Sequence, residues 1–107
     1  MNTKNVKLVV FVPLSHCDIV RQALGEAGAG KIGNYDCCSF ELKGLGQFRA
    51  LEGSNPFIGK QNEVELVEEY KVEMVVEDHL YQNVIAAMKK AHPYETPAYD
   101  VIQLEKI

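Results

Sequence analysis

The longest stretch of alternating apolar and charged side chains, residues 63–77, limits the folds available to this chain. A period of two is the pattern of a β-strand with one buried face. Its apolar positions are Val64, Leu66, Tyr70, Val72, Met74 and Val76. At about 3.3 Å per residue an unbroken strand here is about 45 Å long, whereas a compact chain of this size is about 34 Å across. The strand must therefore bend or project beyond its own domain, and projection predicts a homo-oligomer that pairs the exposed edge.

The remaining segments predict an α+β protein. A continuous apolar run at 6–12 predicts a central strand, and shorter strands are predicted at 35–43 and 47–51, joined by a turn at 44–46. A final strand is predicted at 99–104. Together with two helices, these strands give the order β-α-β-β-α-β with one extra short strand. That order predicts a ferredoxin-like sandwich, in which an antiparallel sheet carries two helices on one face.

Both helices are amphipathic. The first is predicted to start at Ser15 as N-cap and to stop before Gly28, a natural left-handed ending. It is expected to bury Ile19, Val20, Ala23, Leu24 and Ala27. The second is predicted to follow Asp78 as its cap. Its apolar face consists of Leu80, Val84, Met88 and Ala91.

Length and charge exclude several classes of partner. The 107 residues are expected to form one domain, residues 1–107. The net charge of −4 opposes nucleic-acid binding, because neutralising phosphates requires a basic face. No apolar run approaches the length of a membrane span, so no membrane partner is expected. Three cysteines without zinc-finger spacing predict reduced thiols and a cytoplasmic location. Cys37 and Cys38, adjacent on a predicted strand, are expected to point to opposite faces.

Residues 92–97, His-Pro-Tyr-Glu-Thr-Pro, carry more chemistry than a connection between a helix and a strand requires. The two prolines suffice to end the helix and extend the chain. His92, Tyr94 and Glu95 add an imidazole, a phenol and a carboxylate, and binding groups concentrate on loops held by rigid elements. The structural alternative is that His92 caps the helix and Tyr94 covers the core edge. We expect His92 and Glu95 to face solvent or a subunit interface and to contact a bound ion or ligand, with Tyr94 beside them.

A glycine-rich segment precedes the second strand. Residues 28–33 match G-x-G-x-x-G, but they follow a helix, whereas a dinucleotide site requires a strand before and a helix after. Residues 25–32 approach a P-loop, but Ile32 stands where the Mg²⁺-binding hydroxyl belongs. Two interpretations remain. The segment is either a turn that needs positive φ at glycine, or a nest of glycine amides beside Lys31 that binds an anion.

Four segments together carry a family resemblance: residues 28–36, 46–49, 53–59 and 92–97. Their pattern resembles the CutA/PII-like domain that is inserted in the Nif-three-like family of dinuclear-metal hexameric proteins. The resemblance covers about residues 6–104. It implies a ferredoxin-like fold assembled as trimers. The domain is expected to stand alone, as in short YqfO-type proteins, without the two lobes that hold the dinuclear metal site.

The resemblance also implies a binding site. CutA relatives are linked to divalent-metal tolerance, and the histidine that matches His92 is a suspected ligand in them. His92 and Glu95 are therefore the candidate metal ligands, and a divalent metal ion is the cofactor that the resemblance suggests. A zinc site needs further ligands, which Cys17, His16, Cys37 or a neighbouring subunit would supply. The candidate ligand-binding residues are Tyr94, Gly30, Lys31, Asn34 and Tyr35.

Three hypotheses for function follow. The first is a non-enzymatic, trimeric binding or regulatory module that holds a metal ion or small ligand in intersubunit clefts near residues 92–97. No catalytic triad is recognisable in the sequence. The second is an accessory domain or remnant of a GTP-cyclohydrolase-like hydrolase of the Nif-three-like family; because the metal-holding lobes are missing here, that activity is not transferred. The third is a purely structural interaction domain.

Overall fold

The computed structural model describes residues 4–105. Strand β1 spans Asn5–Pro13, helix α1 spans Cys17–Glu26, and strand β2 spans Phe40–Arg49. The chain continues through β3 (Val64–Glu77), α2 (Tyr81–Ala91) and β4 (Tyr99–Gln103). One-turn 3₁₀ segments, Leu14–His16 and Asp78–Leu80, lead into the two helices. The four strands form one sheet in the order β2-β3-β1-β4, and every neighbouring pair is antiparallel. This architecture confirms the predicted ferredoxin-like α+β class.

The core lies between the helices and one face of the sheet. The alternating side chains of β1, from Val6 to Val12, are at most 2% exposed because both helices cover them. Val10 lies opposite Val72 in the register of β1 with β3, so the buried rows of the two strands coincide. Helix α2 contributes its predicted face, with Val84 and Met88 fully buried. Neither helix within residues 4–105 is long and apolar enough to cross a lipid bilayer.

Strand β3 is longer than its neighbour, and this difference shapes the molecule. Strand β1 pairs with residues 69–77, which is nine of the fourteen residues of β3, so five remain beyond its reach. Those five, residues 64–68, pair only with residues 45–49 of β2. We call these two segments the arm. The arm gives the chain extents of 51 × 22 × 22 Å, which confirms that the strand projects from the body instead of bending back.

The predicted division of residues 35–51 into two strands is wrong. Strand β2 begins at Phe40 and continues through residues 44–46, which pair with Val67, Glu68 and Glu69 of β3. The predicted turn and extra short strand are therefore absent. The Glu69 side chain crosses over Gly46, and a Cβ at this position would require the carboxylate end of Glu69 to move. The loop that joins β2 to β3 is instead residues 50–63. The Asn62 amide donates a hydrogen bond to the Ala50 carbonyl and so closes the base of this loop.

Smaller predictions also fail at the helix ends and before β2. Helix α1 starts at Cys17, and the Ser15 hydroxyl bonds the His16 ring, so Ser15 is not the N-cap. Asp78 lies in the 3₁₀ turn, and Leu80 precedes α2 without a side-chain cap. Ile19 is 56% exposed because α1 packs through Val20 and Leu24. Cys37 and Cys38 precede β2 and belong to no strand. The expectation that they point to opposite faces of a strand therefore does not apply.

The glycine-rich segment is held by backbone contacts to the sheet. Gly30 donates its amide to the Val75 carbonyl at 2.7 Å and accepts from the Cys38 amide at 2.9 Å. Its φ of +87° is a left-handed conformation, and an added Cβ would lie 2.6 Å from the backbone N and O of Cys38. Gly33 has a φ of +58° but nothing within 4 Å of an added Cβ. These values confirm the turn interpretation of the segment.

Gly30→Ala and Gly33→Ala should therefore separate steric collision from left-handed strain alone. Gly33→Ala incurs only the strain, about 1 kcal/mol in free energy of unfolding. Gly30→Ala adds a collision with immovable backbone, so we expect a loss of about 3 kcal/mol or more. Urea titration followed by circular dichroism measures both values, and Lys31→Ala in the same segment should change little. Equal losses for the two glycine variants would contradict the close approach at Gly30.

Candidate functional site

The loop at residues 92–97 is fixed at its first residue. Helix α2 ends at Ala91, and the His92 amide still donates to the Met88 carbonyl at 2.9 Å. His92 itself is extended, with φ −76° and ψ 137°, because Pro93 disfavours a helical conformation in the residue before it. The chain therefore leaves the helix abruptly and runs along the end of β1. The Phe11 amide of β1 donates to the Ala98 carbonyl at 3.1 Å, which holds the far end of the loop.

His92 is buried, with 6% of its surface exposed, and both ring nitrogens have backbone partners. Nε2 donates to the Phe11 carbonyl at 2.7 Å, and Nδ1 accepts from the Tyr94 amide at 3.1 Å. This arrangement requires the neutral tautomer that is protonated at Nε2. Burial lowers the pKa of His92, the hydrogen bond to Phe11 opposes that shift, and His16 adds to it. The prediction that His92 faces solvent or an interface is wrong, and its ring has no free nitrogen for a metal in this conformation.

Tyr94 packs where the sequence predicts, beside His92, with ring centroids 4.9 Å apart. Its hydroxyl donates to Oε2 of Glu69 at 3.1 Å, across the junction between loop and β3. Burial of the phenol, and then the neighbouring Glu69 carboxylate, raise the pKa of Tyr94 above its ordinary value. The rings of Phe48 and Phe57 each lie 6.3 Å from the Tyr94 ring, tilted by about 50°. Tyr94 is thus the shared neighbour of three aromatic rings.

Glu95 connects this loop to the 50–63 loop. Its Oε2 accepts the Asn55 amide at 2.8 Å, while the rest of the side chain is exposed. A second contact holds the 50–63 loop to the rest of the chain: the Phe57 ring meets the His16 ring edge-on, with centroids 5.4 Å apart. The Ser54 hydroxyl and amide both donate to the Leu51 carbonyl, which keeps the base of the loop compact. Glu95 therefore helps to hold the 50–63 loop against residues 92–97.

These contacts leave a cleft between the two loops. It has a volume of about 180 Å³ and is lined by the aromatic side chains of Phe48, Phe57 and Tyr94 and by the polar residues Ser54, Glu95 and Thr96. Phe48 and Phe57 were not predicted as site residues, nor was Glu69 behind Tyr94. Phe57 had a signal in the sequence, since it is a large aromatic residue inside the polar loop 53–59. Phe48 and Glu69 had none, because only strand register brings them near residue 94.

The glycine-rich candidates lie elsewhere. The Gly30 amide bonds the Val75 carbonyl, whereas Tyr94 bonds Glu69, six residues earlier on β3. Six residues of strand correspond to about 20 Å. Lys31, Asn34 and Tyr35 are exposed, with Ile32 and Tyr35 exchanging backbone hydrogen bonds around the turn, and Lys31 donating to the Gly33 carbonyl. One chain therefore does not bring these residues into the cleft of Tyr94.

The structure does not assemble the other metal ligands that the sequence suggested. Among residues 4–105, no group of three or more histidine, cysteine, aspartate or glutamate side chains is arranged to hold a metal ion. Cys17 is buried between Arg21 and Glu41, each 3.7 Å from its Sγ. Burial, and then the Glu41 charge, raise the pKa of this thiol to about 11, so it stays protonated at neutral pH. Cys37 is exposed and lies against Gly25 of α1, away from residues 92–97.

Comparison with curated proteins finds close relatives that are much longer. A GTP cyclohydrolase 1 type 2 homolog from Halalkalibacterium halodurans is 59% identical over 98 residues, which is 92% of this chain and 26% of the relative. The Bacillus subtilis protein of the same description is 48% identical over 100 residues, 94% of this chain and 27% of the relative. This chain thus spans about a quarter of the length of the curated relatives it matches. No protein-family model matches it.

Comparison with solved structures also finds a much longer NIF3-related protein, and in addition finds CutA proteins. A Bacillus cereus protein related to NIF3 superposes with a TM-score of 0.85 at 45% identity, covering 99% of this chain and 27% of that protein. The periplasmic divalent cation tolerance protein CutA from Archaeoglobus fulgidus gives a TM-score of 0.69 at 18% identity, covering 94% of this chain and 84% of CutA. At that identity the likeness to CutA shows the fold alone.

Burial of neutral His92 should make stability depend on pH. Because its folded pKa lies below the unfolded value of about 6.5, acid protonates the unfolded chain first. His92 therefore stabilises the fold fully above about pH 6.5, and this contribution declines as the pH falls toward the folded pKa. The free energy of unfolding, measured by urea titration between about pH 7.5 and 5.5, should decrease less steeply in His92→Gln than in the unmodified protein. The exposed Asn83 of α2, which carries no titratable group, provides the control, since Asn83→Gln should keep the original slope. An unchanged slope in His92→Gln would contradict the buried neutral ring.

Proposed function

This chain is a CutA/PII-like domain of the kind found in Nif-three-like proteins, and from this premise we propose that it is a homo-oligomeric module that binds a small molecule in the cleft beside residues 92–97. The observation that carries the proposal is the cleft itself, in which three aromatic rings and a carboxylate converge from separate parts of the chain. Clefts of this composition, lined mainly by apolar and aromatic side chains with a few oriented polar groups, are typical of small-molecule sites.

The walls of the cleft are held by contacts that a simple connection would not need. The Tyr94 hydroxyl is bonded to Glu69, and the Glu95 carboxylate to the Asn55 amide. His92 supports both residues from behind, since it fixes the loop to Phe11 of β1. Side chains that are held in this way by neighbours present a binding surface with little loss of conformational entropy on binding. This preorganisation favours the binding hypothesis over the purely structural one.

The arm supports the proposal of a homo-oligomer. Three apolar side chains of the arm remain exposed although they continue the buried face of β3: Leu45 (68%), Val64 (60%) and Leu66 (57%). Phe40 (62%) and Leu42 (54%) of β2 are also exposed, on the opposite face of the sheet. Strand β2 is also an edge of the sheet, with one side of its backbone unpaired within the described residues. A long apolar edge strand is an aggregation hazard unless another copy covers it. We propose that copies of this chain do so, as a trimer.

Assembly also gives a role to the glycine-rich residues. In one chain, the positions of β3 that Gly30 and Tyr94 contact lie about 20 Å apart, but a neighbouring copy can present Lys31 and Tyr35 at the same cleft. Lys31, Asn34 and Tyr35 would then bind the ligand only through such an interface, whereas Gly30, which is buried with its amide and carbonyl both engaged, serves the turn alone. Metal binding by His92 and Glu95 receives less support than binding of an organic molecule, because both His92 nitrogens already have hydrogen-bond partners.

The hydrolase hypothesis rests only on the names of relatives that are about four times longer than this chain. A measurement of nucleotide turnover tests it.

Leu66→Glu should break the oligomer, whereas Ile19→Glu should not. The two side chains are 57% and 56% exposed, so the cost of charging them within one chain is similar. Leu66 lies on the arm, which the proposed interface would bury, and a buried charge without a partner strongly disfavours association. Ile19 lies on the outer side of α1, away from the arm. Sedimentation velocity at micromolar concentration should show oligomers for the unmodified protein and Ile19→Glu, and a 12.0 kDa monomer for Leu66→Glu. A monomeric unmodified protein would contradict the proposal.

Ligand binding is tested by a panel of single-ring and fused-ring aromatic compounds, nucleotides and divalent metal salts. We expect aromatic compounds to raise the melting temperature and to shift the amide resonances of residues 54–58 and 94–96, since these line the cleft. Phe57→Ala should abolish the shifts. Ile19→Ala is the matched control, because Ile19 is a similarly exposed apolar residue outside both the cleft and the arm. Sedimentation should confirm that both variants keep their assembly. Absence of any binding compound, or equal binding by both variants, would refute the cleft as the site.

A further inference from the structure

The charge and size of the cleft narrow the class of ligand, and this inference rests on the proposed function. We infer that the cleft between residues 54–58 and 94–96 takes one flat ring, single or fused, that carries a positive charge. Three observations lead to this class: the volume of the cleft, the sign of its charges and the arrangement of its rings.

The volume sets the size of the enclosed group. The cleft measures about 180 Å³. An apolar cavity of about 150 Å³ in another protein accommodates benzene, so this cleft holds one ring or two fused rings. The sugar and phosphates of a nucleotide would extend beyond it. The part of the ligand that occupies the cleft is therefore a ring.

Charge complementarity favours a cation. Among the described side chains that line the cleft, only Glu95 and the Tyr94 phenol are ionisable. None of these side chains is a lysine, arginine or histidine. The carboxylate of Glu95 uses Oε2 for the Asn55 amide, and no hydrogen bond from residues 4–105 reaches Oε1. An ammonium group of a bound ring can pair with this free oxygen. A carboxylate or phosphate would meet Glu95 without a compensating cation, so anionic rings are disfavoured.

The aromatic rings favour the same charge. Cations bind the faces of aromatic rings when they lie within about 6 Å of the centroid. The rings of Phe48 and Phe57 each lie 6.3 Å from the Tyr94 ring, and all three rings line the cleft. The Tyr94 hydroxyl donates to the Glu69 carboxylate, and donation to an anion enriches the electron density of the phenol ring. Glu69 therefore strengthens the attraction for a cation although it does not line the cleft itself.

Three probes that share one ring and differ in charge test the inference. Tryptamine carries an ammonium group, indole is neutral, and indole-3-acetate carries a carboxylate at neutral pH. By isothermal titration of the intact protein, tryptamine should bind about fivefold to tenfold more tightly than indole, and indole-3-acetate should bind at least about fivefold more weakly than indole. The preference for tryptamine should decrease as salt is raised, since part of it is electrostatic and exposed to solvent.

A pair of charge-removing variants assigns the preference to the cleft. Glu95→Gln removes the charge but keeps an oxygen that can accept the hydrogen bond from the Asn55 amide. The ratio of the affinity for tryptamine to the affinity for indole should therefore fall at least threefold, which corresponds to about 0.65 kcal/mol of binding free energy. Glu26→Gln is the control, because Glu26 is exposed on α1 and does not line the cleft. Its ratio should match that of the unmodified protein.

The outcomes separate this inference from the proposed function. Tightest binding of indole-3-acetate, equal binding of all three probes, or an equal loss of the ratio in both variants would overturn the cationic class while leaving the cleft a ligand site. Failure of all three probes to bind, while another compound of the panel binds at residues 54–58, would likewise overturn only the ligand class. Failure of every compound would overturn both.

Discussion

The mismatch in length between β1 and β3 is the constraint on which the rest of the structure depends. Both helices pack on the nine paired residues of β1 and β3 to form a closed core, in which alternate side chains from Val6 to Val12 are almost fully buried. The five residues of β3 beyond Pro13 have no strand on their second side, so β2 and β3 continue alone as the arm. A two-stranded ribbon is marginally stable in water by itself. The arm is therefore the part of the fold that gains most from contacts outside the core, and the 50–63 loop at its end needs a support from the body.

That support comes from the loop at 92–97, and His92 makes it rigid. A buried imidazole is unfavourable unless its nitrogens are satisfied, and here one nitrogen donates to β1 and the other accepts from the loop itself. Each hydrogen bond contributes about 0.5–1.5 kcal/mol net, but removing one partner leaves a buried group unsatisfied at a cost of about 1–3 kcal/mol. The fixed loop directs Tyr94 toward β3 and Glu95 toward Asn55. His92 thus serves the cleft by position, without entering it.

The parts that the sequence predicted correctly are those decided by local periodicity. The alternation over residues 63–77, the apolar run of β1 and the face of α2 containing Val84 and Met88 specify elements that pack through repeated side chains. The failures depend on partners far along the chain. Gly44 and Gly46 have the composition of a turn, yet Glu69 occupies the space over Gly46 and the strand continues. Burial of His92 depends on the carbonyl of Phe11, which no pattern around residue 92 reveals.

The cleft lies between the arm and the body, so the proposed ligand binding would be coupled to the proposed assembly. One wall is built from Phe48 of the arm and from the 50–63 loop, and the other from residues 94–96 of the body. Any contact that orders the arm, such as a second copy on its exposed apolar side chains, also fixes the first wall. A ligand that bridges the walls orders the arm in return. Because coupling of two equilibria is reciprocal, a ligand that binds the assembled form more tightly must strengthen assembly by the same factor. A cleft placed on the core alone would not have this property.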